Sequence, residues 1–156
     1  MYRQHHAWLF GLLRHRLGGQ HADAWDLVQD TFERVLRHRK WQELSQPRGY
    51  LSAIAKRLLI DRHRRKTIED AYLAALAQQP EPVAPSAQDI AEVVEHLNRV
   101  CMALDRMPDR MRQVFVRARI NGQAYDVIAQ QLKLTVNVVQ KDMMQAWQRI
   151  YHAIHG

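Results

Sequence analysis

Apolar residues recur along this chain at intervals of three and four for most of its length, which is the period of a helix. Near the N-terminus, Trp8, Leu9, Leu12 and Leu13 keep that spacing until Gly18-Gly19 stops it, which predicts a short first helix. The run "DAWDLVQDTFERVL" sets Trp25, Val28, Phe32 and Val35 on one face and Asp26, Asp30 and Glu33 on another. That pattern predicts an amphipathic helix with an acidic ridge. A third helix opens at "SQPRGYL", where Pro47 suits a first turn, and runs through Leu51, Ile54, Ala55 and Leu58 to the basic cluster Arg62 to Lys66. Further on, Ile90, Val93, Val94, Leu97, Val100, Cys101 and Leu104 form one stripe that stops before Met107-Pro108. Next, Met111, Val114, Phe115 and Ala118 turn inward and leave Arg110, Arg112, Arg117 and Arg119 to solvent or phosphate. No apolar alternation of strand length survives anywhere, so the fold class is all-α.

Between the two helical blocks lies "QQPEPVAPSAQ", Gln78 to Gln88, where Pro80, Pro82 and Pro85 prevent a helix. This is read as a flexible Pro-rich linker joining two small helical domains, residues 1–77 and 89–156. The second domain has helix-turn-helix syntax: a turn at Asn121-Gly122, a short helix "AYDVIAQQL", a corner "KL", then "TVNVVQKDMMQAWQRI". Ala129 supplies the small residue where the helices cross, and Ile128, Leu132, Leu134 and Val139 bracket the corner. Thr135 is a fitting N-cap; Val139, Met143, Ala146 and Ile150 turn inward. Asn137, Gln140, Lys141, Met144 and Gln145 face outward, with acidic Asp142 among them. Those side chains suit base edges: amides pair with adenine, lysine with guanine, and a methionine methyl with thymine. Lys133 holds the corner position where a glycine turns left-handed without strain, a conformation that costs a lysine roughly 1 kcal/mol. A plain helical hairpin with no DNA partner accounts for the same pattern.

Composition changes the picture in one respect. The chain carries a net charge of +7 with a pI near 10.0, which favours a polyanionic partner. Residues 1–77 hold 14 basic and 8 acidic side chains, residues 89–156 hold 9 and 7, so most of the positive field belongs to the first block. A single cysteine, Cys101, excludes an internal disulfide and a cysteine zinc cluster, and fits a reducing cytoplasm. There is no apolar run of membrane-span length and no secretory apolar core. His152 and His155 stand at helical spacing but no carboxylate or thiol completes a metal set, and His5-His6 carries no further signal. No nucleophile motif or phosphate loop appears, so no enzyme, metal or cofactor is expected.

The ordered motifs "DLVQDTFERVL", "PRGYLSAIAKRLLIDRHRRK", the Pro-rich linker, "ALDRMPDRMRQVFV" and "AYDVIAQQLKLTVNVVQKDMMQAW" together resemble an extracytoplasmic-function (ECF) sigma factor. Within that family the wording is most similar to the iron-starvation branch of ferric-citrate transport regulators. The resemblance implies a region 2-like domain that binds core RNA polymerase and the −10 element, and a region 4-like domain that binds the −35 element. It assigns Asp26, Gln29, Asp30 and Glu33 to the clamp helices of the polymerase's largest subunit. Lys56, Arg57, Arg62, Arg64 and Arg65 fall to the −10 DNA backbone, with Tyr50 and Trp41 as stacking candidates, and Thr135, Asn137, Gln140, Lys141 and Gln145 to the −35 element. It also implies promoter DNA and a membrane-bound anti-sigma regulator as partners, with no small-molecule substrate. Two other readings use the same residues: a stand-alone dimeric helix-turn-helix regulator, and a protein-interaction adaptor. Solvated helix faces and a buried Tyr50 are the structural alternatives for the individual sites.

Overall fold

The computed structural model describes residues 1–38, 45–81 and 83–156, and the regular elements among them are all helices. They are α1 (Tyr2–Arg16), α2 (His21–Arg37), α3 (Pro47–Ala77), α4 (Ala87–Arg106), α5 (Asp109–Phe115), α6 (Tyr125–Leu132) and α7 (Val136–His155). The chain divides into two compact units, Met1–Lys66 and Thr67–Gly156. Trp41 and Pro82 lie outside the described residues.

In the first unit α1 packs on α2, and the glycine stop between them is a closed C-cap. Gly18 and Gly19 take positive φ of 65° and 90°, and the Gly19 N–H donates to the Arg14 carbonyl at 2.9 Å while that of Gly18 reaches His15. Leu9, Leu13, Ala24, Leu27, Val28, Phe32, Val35, Leu51 and Ala55 make the core. Trp25, expected on the inner stripe, is 39% exposed, and Ala24 is buried in its stead. A small side chain lets α1 approach closely, whereas the indole stacks on Phe10 at the rim, ring centres 4.3 Å apart. Thr31 is buried and its hydroxyl donates to the Leu27 carbonyl at 2.6 Å, which satisfies that hydroxyl inside the core.

α3 runs past the basic cluster, where it was expected to end, to Ala77. The added stretch "TIEDAYLAALA" is rich in good helix formers and meets no breaker before Pro80, so nothing stops propagation. Only Leu51 and Ala55 of α3 are fully buried, so most of the helix surface remains exposed or half-exposed.

α4 begins at Ala87, inside the stretch expected to be linker, because Ser86 and Asp89 form a capping box. The Asp89 N–H donates to the Ser86 hydroxyl at 3.1 Å and the Ser86 N–H to the Asp89 carboxylate at 3.0 Å. The Ser86 hydroxyl, which lies 2.8 Å from the Asp89 carboxylate, and the Ser86 N–H hold that carboxyl below its usual 3.8, so their support for α4 is present above that pH and fades as the carboxyl protonates. Leu97, expected inward, is exposed, and Asn98 beside it is buried with its amide toward the Met102 sulfur. α4, α5 and α6 each pack on α7 around Met107, Met111, Val114, Phe115, Ile128, Ala129, Val139, Met143, Ala146 and Ile150. A π-helical turn, Val116–Ile120, continues α5, and Gly122 at φ 66° turns the chain toward α6.

The corner between α6 and α7 closes on a lysine. Lys133 sits at φ 56°, ψ 46°, and is the one non-glycine residue with positive φ among the described residues. The Leu134 N–H donates to the Ala129 carbonyl at 2.8 Å and the Lys133 N–H to Gln130, the closure a glycine ordinarily makes. Left-handed backbone crowds a β-carbon, so Lys133→Gly should raise stability by about 0.5–1 kcal/mol, read as a higher melting temperature. A lower melting temperature for that variant would show that the lysine carries a compensating contact.

Candidate nucleic-acid and partner interfaces

α7 is built to start where its outer face is needed. The Thr135 hydroxyl accepts the Val138 N–H at 3.3 Å, which fixes the first turn and leaves its remaining N–H groups pointing out of the helix end. Asn137, Gln140 and Lys141 are exposed beyond it, and Met144 shares their side of the helix. Their chemistry matches base edges in a major groove: two amides, one ammonium and one methyl group. Gln145 is placed differently. It is half-buried on the flank of α7, lining a cleft of about 770 Å³ against α4 with Arg99, Arg106, Arg149 and His152.

Asp142 is not part of the outer face. Its side chain is 4% exposed, and Arg110 of α5 grips it with two bonds, Nε to Oδ2 at 2.8 Å and Nη2 to Oδ1 at 3.0 Å. The hydrogen bonds and the carboxylate's charge push the Arg110 guanidinium above its usual range. A buried carboxylate requires such a partner, and this one ties α5 to the middle of α7. Two of the other arginines expected to be free for phosphate are also engaged, Arg112 with Asp109 and Arg117 with Gln131, whereas Arg119 lies over the Trp147 ring without donating to an acceptor among the described residues. Neither the Arg110–Asp142 pair nor the Arg119–Trp147 stack was legible in the sequence, because partners 32 and 28 residues apart leave no periodic signal.

In the first unit, Asp26, Gln29, Asp30 and Glu33 are all exposed on α2. Their spacing places them along one side of the helix, with Glu33 paired to Arg37 one turn on. Along α3, Lys56 and Arg57 are exposed and form no ion pair with the described residues. Arg62 is bonded to Asp23 of α2, and Arg65 to Asp61 at 3.1 Å within its own helix. Arg64 is half-buried with a partner of its own. Tyr50 is half-buried against the core of the unit, which restricts the ring face it can offer to a base. The positive charge of this surface is therefore graded, highest at Lys56 and Arg57 and partly neutralised at Arg62 and Arg65.

No helix among the described residues is long and apolar enough to cross a membrane. Residues 1–68 match the family description sigma-70 region 2, and residues 97–150 match sigma-70, region 4. The chain is 35% identical over 146 residues to the ferric citrate uptake sigma factor FecI of Escherichia coli (strain K12), an alignment covering 94% of this chain and 84% of the relative. It is 28% identical over 156 aligned residues to the ECF RNA polymerase sigma factor SigE of Mycolicibacterium smegmatis, covering 92% of this chain and 57% of that longer relative.

The Arg110–Asp142 pair is asymmetric, since the arginine side chain is 58% exposed and the aspartate almost wholly enclosed. Arg110→Met strands a carboxylate in the core, whereas Asp142→Asn leaves an arginine that water can solvate. Thermal unfolding at neutral pH should therefore show Arg110→Met losing several degrees more than Asp142→Asn. The reverse order would mean that the carboxylate has another partner in solution.

Proposed function

Because this chain belongs to the sigma-70 family, in its extracytoplasmic-function branch and on the ferric-citrate side of it, we propose that it directs core RNA polymerase to the promoters of iron-uptake genes. The observation that carries this reading is the order of the two sigma-70 regions, each falling on helices whose exposed faces suit the partner it needs. Sigma-70 proteins are non-enzymatic initiation factors that bind core polymerase and promoter DNA. Chemistry stays with the polymerase, and the proposal requires no cofactor and no small-molecule substrate.

Within that reading, the Asp26–Gln29–Asp30–Glu33 face of α2 docks on the basic clamp helices of the polymerase's largest subunit. Opposite charge across such a contact steers encounter and fixes register. Lys56 and Arg57, with Arg62, Arg64 and Arg65 beyond them, line the −10 DNA backbone, where each neutralised phosphate releases counterions. Tyr50 would offer its exposed edge to an unstacked base. Asn137, Gln140 and Lys141 read the −35 element, Thr135 presents the helix end to a phosphate, and Gln145 acts from the flank. The residues around Gln78–Gln88 join a region 2-like domain, 1–77, to a region 4-like domain, 89–156, so that both reach one promoter. A membrane-bound anti-sigma regulator holding the protein on the cytoplasmic side would keep these faces covered until a signal arrives. That partner is proposed by analogy with the family alone.

Run-off transcription on fragments from upstream of iron-uptake genes tests the reading, with core polymerase present or omitted. Wild-type protein should start transcripts only with core enzyme. Asp30→Lys should reduce them roughly tenfold or more, since a like charge set against a basic partner costs several kcal/mol. Gln140→Ala should weaken the same promoter by roughly 1–3 kcal/mol of base discrimination. Binding of the protein alone to DNA as a dimer, with no transcript from the mixture, would favour a stand-alone regulator and return the α2 ridge to a solvated surface.

A further inference from the structure

Four arginines lie in and just after α5, and three of them are occupied by the protein itself. Arg110, Arg112 and Arg117 donate to side-chain oxygens of Asp142, Asp109 and Gln131. Arg119 is exposed and donates to no acceptor among the described residues. It is nevertheless held in place: its guanidinium carbon lies 4.7 Å from the centre of the Trp147 ring. Phe115 meets the same indole edge-on, ring centres 5.4 Å apart and planes at 80°, which fixes the ring's orientation.

Cation–π contact of this kind restrains the guanidinium without spending its N–H donors on another acceptor. Those donors are the part that bonds a phosphate, and a cation already restrained over an indole loses less rotamer freedom on doing so. Trp147 follows Gln140 by seven residues, so the two share a side of α7, about two turns or roughly 10 Å apart along its axis. A recognition helix enters the major groove by its N-terminal end, so later turns on that side emerge at the groove's edge, where the sugar-phosphate strand runs.

We infer that Arg119, restrained by Trp147, grips a phosphate of the promoter strand flanking the −35 element. The inference rests on the reading of α7 as the −35 helix. It assigns the C-terminal part of the outer face to backbone grip and the N-terminal part to base reading. It also gives the Phe115–Trp147–Arg119 cluster a role that burial does not explain, since Trp147 remains 43% exposed.

The test is a salt series of promoter binding by the full chain assembled with core polymerase. The DNA is the fragment on which that holoenzyme initiates, alongside the same fragment with its −35 segment scrambled. Wild type should favour the intact fragment. Arg119→Ala should reduce the slope of log K against log salt by about 0.9 and weaken binding roughly 5–10-fold at 0.1 M, by the same factor on both fragments. Arg119→Lys, which keeps the charge, should restore the slope. An unchanged slope in Arg119→Ala, with wild type still preferring the intact fragment, overturns the inference and leaves the −35 reading standing. Loss confined to the intact fragment also overturns it, because a phosphate contact carries no sequence preference. If wild type binds both fragments equally, the −35 reading fails and the inference with it.

Discussion

The second unit depends on one helix being core and surface at once. α4, α5 and α6 all pack on α7, so Val139, Met143, Ala146 and Ile150 must be apolar, while Asn137, Gln140 and Lys141 on the other side remain in water. With 3.6 residues per turn, these two demands fall on opposite sides and leave little circumference between them. Asp142 falls on the protein side of that boundary and is answered by the Arg110 fork. Rolling α7 about its axis would pull the carboxylate off its partner, so the pair limits the rotation of the helix. Under the proposed reading of α7 as the −35 helix, that angle decides which side chains reach the groove, and small errors in it are costly.

The same period explains what could be read in the sequence. Every helix of the second unit, the Thr135 cap and the inward set of α7 follow from spacing and capping chemistry, because long periodic stripes carry a strong signal. The lysine at the α6–α7 corner was also visible as an exception, and the backbone there adopts the left-handed turn despite it. The losses came where periodicity leaves two neighbouring positions nearly equivalent. Ala24 is buried instead of Trp25, and Asn98 instead of Leu97, because close helix approach rewards size and shape over hydrophobicity. Asp142 was placed with solvent since a carboxylate's default is exposure, and its partner lies far away in sequence. The end of α3 was misread for a different reason: a basic cluster suits a helix C-terminus but does not create one, and no glycine or proline follows until Pro80.

Charge at the level of composition overstates what is available to DNA. The net +7 includes Arg37, Arg62, Arg65, Arg99, Arg110 and Arg112, each paired with a carboxylate of the protein. Most of these pairs are exposed and add little to stability, yet each diverts a cation from phosphate, which must compete for it. On the faces read as DNA-binding, the cations that form no ion pair or hydrogen bond with a side chain among the described residues include Lys56 and Arg57 on α3, Lys141 on the outer face of α7, and the restrained guanidinium of Arg119.

An outer face of α7 with so few free cations grips DNA weakly by itself, and under the proposed reading that weakness is useful. Counterion release scales with the number of phosphates neutralised, so a module with few contacts has a shallow salt dependence and little non-specific affinity. Joined to a second weak module through polymerase, it gains effective concentration without new contacts, and the product of two modest preferences can still select a promoter. The arrangement also keeps the free protein off bulk DNA, where competing sites vastly outnumber promoters. The carboxylates that neutralise these arginines can therefore serve selectivity as well as packing: they lower the background that strong phosphate binding would raise and leave discrimination to Asn137, Gln140 and Lys141.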